Sequence, residues 1–132
     1  MRSETLAPRP TTELDSRRVA ATALKAFFNL AGEWALTVED QLTLLGRPSR
    51  RTYFRWRTGE VAALPTDTLE RISVLLGIYK ALAILLPDPA RANAWIKRAN
   101  GDFGGRTALD VMRQGRVDDL YQVRRYLDGW RG

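Results

Sequence analysis

The chain has 132 residues, a net charge of +6 and an isoelectric point near 10.3. It contains neither cysteine nor histidine, which excludes disulfides, the usual zinc sites and thiol or imidazole catalysis. The sequence also lacks a glycine-rich phosphate loop and a carboxylate pair placed to raise a pKa. We therefore expect a protein that is not an enzyme and that binds no cofactor and no metal.

The apolar segments of the chain are short. Residues 1–15 combine charge, proline and threonine without an apolar run, so we expect a disordered tail rather than a signal peptide. The longest apolar stretch, residues 81–86, is far too short to cross a bilayer. We therefore expect a cytoplasmic protein.

Hydrophobic periodicity predicts an all-helical fold, because no segment alternates with the two-residue period of a strand. The predicted helices, in chain order, span about 16–34, 38–45, 50–57, 67–86, 90–99, 108–113 and 117–130. Thr37, Ser49 and Thr107 are the predicted N-caps, and glycines 46 and 115 end two of the helices.

The fourth predicted helix carries the clearest stripe of apolar residues. Its members have the 3-and-4 spacing of one helix face: Leu69, Ile72, Leu75, Leu76, Tyr79, Leu82, Ala83 and Leu86. Such a stripe fits either a core shared by the whole chain or a dimer interface.

Residues 37–59 have the order of a DNA-reading helix-turn-helix: a supporting helix, a tight turn and a second helix. Five arginines and no acid lie between Arg47 and Arg57, which favours binding to phosphates and bases. The alternative is a helical hairpin with a solvated basic face. Phe54 is expected in the core, and Trp56 could either lie in the core or stack on a base. The predicted DNA contacts are Arg47, Ser49, Arg50, Arg51, Thr52, Tyr53 and Arg55.

The segment from Leu45 to Gly59, LGRPSRRTYFRWRTG, resembles the Xre (Cro/repressor-like) family. Its turn glycine, helix tryptophan and closing glycine recur in that family at this spacing. Pro48 departs from the pattern, because a small aliphatic residue is more usual there.

A second resemblance covers the last third of the chain. Residues 95–100, WIKRAN, followed by residues 103–112, FGGRTALDVM, resemble the toxin-binding domain of the MbcA/ParS/Xre antitoxins. Ala108 stands where that family commonly has proline, and Val111 replaces a usual leucine. Both residues suit the same helix.

The two resemblances together imply a type II antitoxin. Such proteins neutralise RES-domain toxins that consume NAD⁺, by blocking access to the toxin's active site, and the complex often represses its own promoter. For this chain the resemblance implies a helix-turn-helix half that homodimerises and a C-terminal half that faces the toxin. The predicted organisation is a tail (1–15), an Xre-like helix-turn-helix domain (16–64) and a helical toxin-binding domain (65–132).

The predicted toxin contacts lie at a glycine-rich corner and at the C-terminal end. They are Arg106, Arg125, Trp130 and Arg131. Tryptophan and arginine are enriched at interface hot spots, although Trp130 fits equally well as the last member of an intramolecular stripe. Trp95 is expected in the core.

Two other functions remain open from the sequence. One is a stand-alone transcriptional regulator whose C-terminal half only dimerises or senses a ligand. The other is a helix-turn-helix that no longer binds DNA and serves only assembly.

Overall fold

The computed structural model describes residues 13–131, and within this range the chain forms seven α-helices and one short 3₁₀ turn. The elements, in chain order, are α1 (Glu13–Glu33), α2 (Val38–Leu44), α3 (Arg50–Arg57), α4 (Thr66–Leu85), α5 (Pro89–Trp95), the 3₁₀ turn (Gly101–Phe103), α6 (Ala108–Met112) and α7 (Val117–Arg131). The predicted all-helical class is confirmed.

The start of α1 differs from the prediction. Residues 13–15, expected in the tail, form the first turn of α1, where the carboxylates of Glu13 and Asp15 suit the positive end of the helix dipole. The rest of the predicted tail, residues 1–12, lies outside the described residues.

The fifth helix ends earlier than predicted, at Trp95 instead of near Ala99. The backbone after it pairs with the chain ahead of α6 instead of continuing the helix. The carbonyl of Ile96 accepts from the amide of Leu109 at 3.0 Å, and the amide of Asn100 donates to the carbonyl of Arg106 at 3.0 Å. These long-range bonds satisfy groups that a longer helix would have used locally.

The predicted N-caps of α2, α3 and α6 are confirmed. The side chains of Thr37, Ser49 and Thr107 accept hydrogen bonds from backbone amides at 3.0, 3.1 and 2.9 Å. In α6 the carboxylate of Asp110 also accepts from the amide of Thr107 at 3.1 Å, which completes a capping box. Side-chain oxygens therefore define where these three short helices begin.

Helix α4 lies at the centre of the fold and is buried on two sides. It packs against α1 on one side and α7 on the other. The predicted stripe is therefore too narrow: Ala83 is exposed, whereas Arg71, Val74, Ile78 and Ala81 are buried outside it. Of the two roles that the sequence left open, α4 supplies the core shared by both halves.

An ion pair joins the two halves at a second point. The guanidinium of Arg113, just after α6, donates to both carboxylate oxygens of Asp40 on α2, at 2.8 and 3.2 Å. Asp40 is buried, and its hydrogen bonds from Arg113 hold the pKa of its carboxyl below the usual value against the opposing effect of burial. Asp40 thus bonds a residue 73 positions away along the chain.

Removing the charge of Asp40 should destabilise the fold. For Asp40→Asn we expect the free energy of unfolding at neutral pH to fall by about 1.5–3 kcal/mol, the range for a hydrogen bond to a charged group. Because the folded-state pKa is depressed, the stabilisation is present above the ordinary carboxyl pKa and is lost as the pH falls through the folded-state pKa. Urea unfolding of both proteins at neutral pH and near about pH 3 measures this.

Asp128→Asn is the matched control. Asp128 pairs with Arg124 at 3.2 Å on the exposed face of α7, and such a pair contributes about 0–1 kcal/mol. A difference between Asp40→Asn and wild type that stayed constant down to strongly acidic pH would contradict the assignment.

Candidate functional site

Helices α2 and α3, joined by residues 45–49, have the helix-turn-helix arrangement that the sequence predicts. The turn contains two consecutive positive φ angles, +95° at Gly46 and +64° at Arg47. A Cβ on Gly46 would lie 2.8 Å from Asp67 Oδ2 and 3.1 Å from Arg71 Nε. Both the backbone angle and the close approach of α4 therefore require glycine at this position.

Helix α4 packs against this turn. The hydroxyl of Thr68 donates to the carbonyl of Leu45 at 3.4 Å, and Arg71 Nε donates to Asp67 at 2.8 Å. Both Thr68 and Arg71 are buried. The start of the turn is thus fixed to the central helix.

The inward face of α3 corrects one predicted DNA contact. Tyr53 is fully buried, its hydroxyl donates to Gln41 Oε1 at 2.6 Å, and its ring meets Phe28 edge-on at 5.8 Å. Tyr53 therefore anchors α3 to α1 and α2, and the prediction that it contacts DNA is wrong. Trp56, whose role the sequence left open, is also buried in the core.

The outward face of α3 presents arginines. Arg50, Arg51 and Arg55 are exposed, and so is Arg47 in the turn. Thr52 is half-buried, and the hydroxyl of Ser49 is used as the N-cap of the helix. The structure therefore places four of the predicted DNA contacts together with free access to solvent.

Two of these arginines have acidic neighbours. Arg50 pairs with Glu39 of α2, and Arg55 lies 3.8 Å from Glu60. Arg51 makes no ion pair among residues 13–131. Exposed pairs contribute only about 0–1 kcal/mol, so phosphates can replace these carboxylates. Arg57 differs, because its guanidinium lies over the ring of Phe28, 5.2 Å from the ring centre.

Phe54 contradicts the expectation that it packs in the core. Its side chain is 49% exposed. The inward face of α3 is occupied by Tyr53 and Trp56, and successive residues of a helix point about 100° apart. Phe54 is therefore turned away from the core.

At the other end of the molecule, four aromatic rings form a cluster that we call the C-terminal aromatic cluster. Its members are Trp95, Phe103, Tyr126 and Trp130. The ring of Trp95 stacks on Tyr126 at 6.1 Å and contacts Phe103 and Trp130, each at 6.4 Å. Trp95 is buried, as predicted. The cluster joins α5, the 3₁₀ turn that contains Phe103, and α7.

The cluster brings together regions that the sequence treated separately. Arg106 donates from Nε to the carbonyl of Phe103 at 3.2 Å, and the hydroxyl of Tyr126 donates to Asp102 at 2.8 Å. The sequence allowed Trp130 to be either a surface contact or part of the intramolecular packing. Its ring packs on Trp95, and half of it is also exposed. Tyr126 was missed, although its spacing of four from Trp130 puts both on one face of α7.

The remaining predicted toxin contacts, Arg125 and Arg131, are both exposed. Neither makes an ion pair with another residue in the described part of the chain. The last turns of α7 therefore carry two exposed cations and a half-exposed tryptophan.

Within residues 13–131, acidic side chains form no cluster able to hold a metal ion. None of the helices there combines the length and hydrophobicity required to cross a membrane.

Comparison with known proteins matches both halves of the chain. The antitoxin Xre-like helix-turn-helix domain matches residues 13–77, and the antitoxin Xre/MbcA/ParS C-terminal toxin-binding domain matches residues 81–132. The chain is similar to the uncharacterised protein y4oB of Sinorhizobium fredii (strain NBRC 101917 / NGR234). The two are 52% identical over 118 residues, which is 89% of this chain and 90% of that protein. With a helix-turn-helix followed by a toxin-binding domain, this chain belongs to the Xre/MbcA/ParS-type antitoxins.

Proposed function

We propose that this antitoxin binds a cognate RES-domain toxin, occludes the cleft in which that toxin consumes NAD⁺, and represses its own operon by binding DNA as a homodimer. The proposal assigns no reaction to the chain itself. The observation that carries it is the end of α7, which bears a half-exposed tryptophan and exposed arginines that form no ion pair within residues 13–131.

The C-terminal surface has the composition of an interface hot spot. Trp130 offers a large ring that Trp95 holds from one side, so little conformational entropy is lost when a partner covers the other side. Arg131 follows Trp130 directly, and Arg106 is held against Phe103 of the C-terminal aromatic cluster by its hydrogen bond to the Phe103 carbonyl. These features support insertion of this end into a cleft of the toxin.

The DNA-binding part of the proposal is supported by the outward face of α3. Its cations stand on a helix whose inward face is fixed by Tyr53 and Trp56, so they are held before DNA arrives. A homodimer would present two such helices to a palindromic operator, the usual arrangement for this motif.

Neutralisation should depend on the end of α7. We expect Trp130→Ala, and separately the double substitution Arg125→Glu/Arg131→Glu, to weaken toxin binding by at least about thirtyfold, as for hot-spot residues. Co-expression with the toxin encoded beside it, scored by cell survival, and binding of the purified pair measure this. Circular dichroism checks that both variants stay folded.

Ile84→Ala and Arg18→Glu are the matched controls, because both residues are exposed and lie outside the C-terminal surface. Folded variants at Trp130 and at the two arginines that protected cells as well as wild type would place the contact elsewhere. A full-length protein that bound no toxin but still bound its operator would favour the stand-alone regulator.

DNA binding should depend on the exposed arginines of α3. Where Arg51 or Arg55 reads a base, we expect its substitution by alanine to cost about 1–3 kcal/mol of DNA-binding free energy. Where the arginine binds a phosphate, the substitution should instead reduce the salt dependence of the affinity. Fluorescence anisotropy with DNA that precedes the protein's own coding sequence, at several salt concentrations, separates the two cases.

Tyr53→Phe serves as the structural control. It removes the hydroxyl that donates a hydrogen bond to Gln41. The melting temperature should therefore fall, while the slope of DNA affinity against salt concentration stays unchanged. Wild-type affinity and salt dependence in the double variant Arg51→Ala/Arg55→Ala would refute this DNA-binding face.

A further inference from the structure

The exposed ring of Phe54 is the one large apolar group on the outward side of α3. In this helix the other aromatic residues, Tyr53 and Trp56, are buried, and the remaining outward side chains are mainly arginines. Half of this apolar ring is exposed to water, so the fold obtains only part of the stabilisation that burial of a phenylalanine provides.

The position of Phe54 on the helix puts it on the face that would meet DNA. At 3.6 residues per turn, Phe54 lies about 40° around the axis from Arg50 and about 60° from Arg51. Both arginines are exposed. An anionic duplex that is drawn to these cations therefore also meets the ring.

The ring is held in place from behind. It meets the ring of Tyr53 edge-on at 5.0 Å, and Tyr53 is fixed by its hydrogen bond to Gln41 and by Phe28. Phe54 thus presents an apolar surface on a rigid support, which lowers the entropy lost when a ligand covers it.

The major groove of B-DNA exposes one apolar group, the C5-methyl of thymine, and side chains such as phenylalanine recognise it by contact. Arginines on the same face match guanine and phosphate. We propose that Phe54 is a specificity-determining residue that packs on a thymine methyl in the operator. The inference rests on the proposed DNA binding and adds the base that an apolar side chain selects.

The test removes the methyl and the ring separately. Duplexes are first selected from a random-sequence pool with the full-length wild-type protein, and each thymine is then replaced in turn by uracil, which lacks only the methyl. We expect one thymine per half-site at which uracil weakens wild-type binding about fourfold, the effect of exposing one methyl-sized group. Phe54→Ala should bind the thymine and uracil duplexes equally at that position.

Two further variants sharpen the result. Phe54→Leu keeps an apolar side chain and should retain about half or more of the discrimination on a logarithmic scale, the intermediate expected of a smaller apolar contact. Val19→Ala removes an exposed apolar residue of α1, away from α3, and should discriminate thymine from uracil as wild type does.

The possible failures are distinct. A wild-type protein that retained no duplex at any salt concentration would overturn the proposed DNA binding together with this inference. Salt-dependent binding in which every uracil affected wild type and Phe54→Ala equally would overturn the inference alone. Loss of a dimer in Phe54→Ala, seen by sedimentation without any thymine-specific effect, would instead make the ring a contact between copies of the chain.

Discussion

The burial of α4 on two sides is the constraint on which the rest of the structure depends. One side of this helix packs on α1, and the other packs on α7. Its first turns hold the helix-turn-helix through Thr68 and Arg71, and further along the guanidinium of Arg124 from α7 lies across Gly77, where a Cβ would be 1.7 Å from it. The turn that precedes α3 and the helix α7 are therefore both supported by the same element.

Two acidic residues are buried away from the exposed cationic surfaces. Asp40 and Asp119 are buried, and hydrogen bonds from Arg113 and Arg116 respectively keep the pKa of each carboxyl below its ordinary value. These acids consequently remain charged at neutral pH while facing inward. The cations left without an acidic partner in the described part of the chain include Arg51 at one end and Arg131 at the other. A small antitoxin can thus present attractive surfaces to two different partners.

The local features of this fold were predictable because their causes are local. Thr37, Ser49 and Thr107 begin helices since their side chains reach amides three positions ahead, and Gly46 and Gly115 adopt the positive φ angles expected of them. The spacing of motifs also indicated the family, which depends on residues at fixed separations. The predicted helix ends were less accurate. Helix α5 ends earlier than predicted because the backbone after it pairs with residues in and before α6. No local sequence pattern reveals this pairing.

By itself, the sequence determined the helical class, the caps, the order of the two halves and the concentration of arginines around α3. Only the tertiary structure decided which way neighbouring side chains face. Tyr53 and Phe54 are adjacent aromatics on a helix of two turns, and its periodicity is too short to tell the inward ring from the outward one. Likewise Asp40 meets Arg113 across 73 residues, and Arg106 bonds the backbone of Phe103, which belongs to the same aromatic cluster as Trp130. The physical reason is that packing of α3 against α1 and α2 selects which of its sides faces the core, a choice that local spacing does not determine.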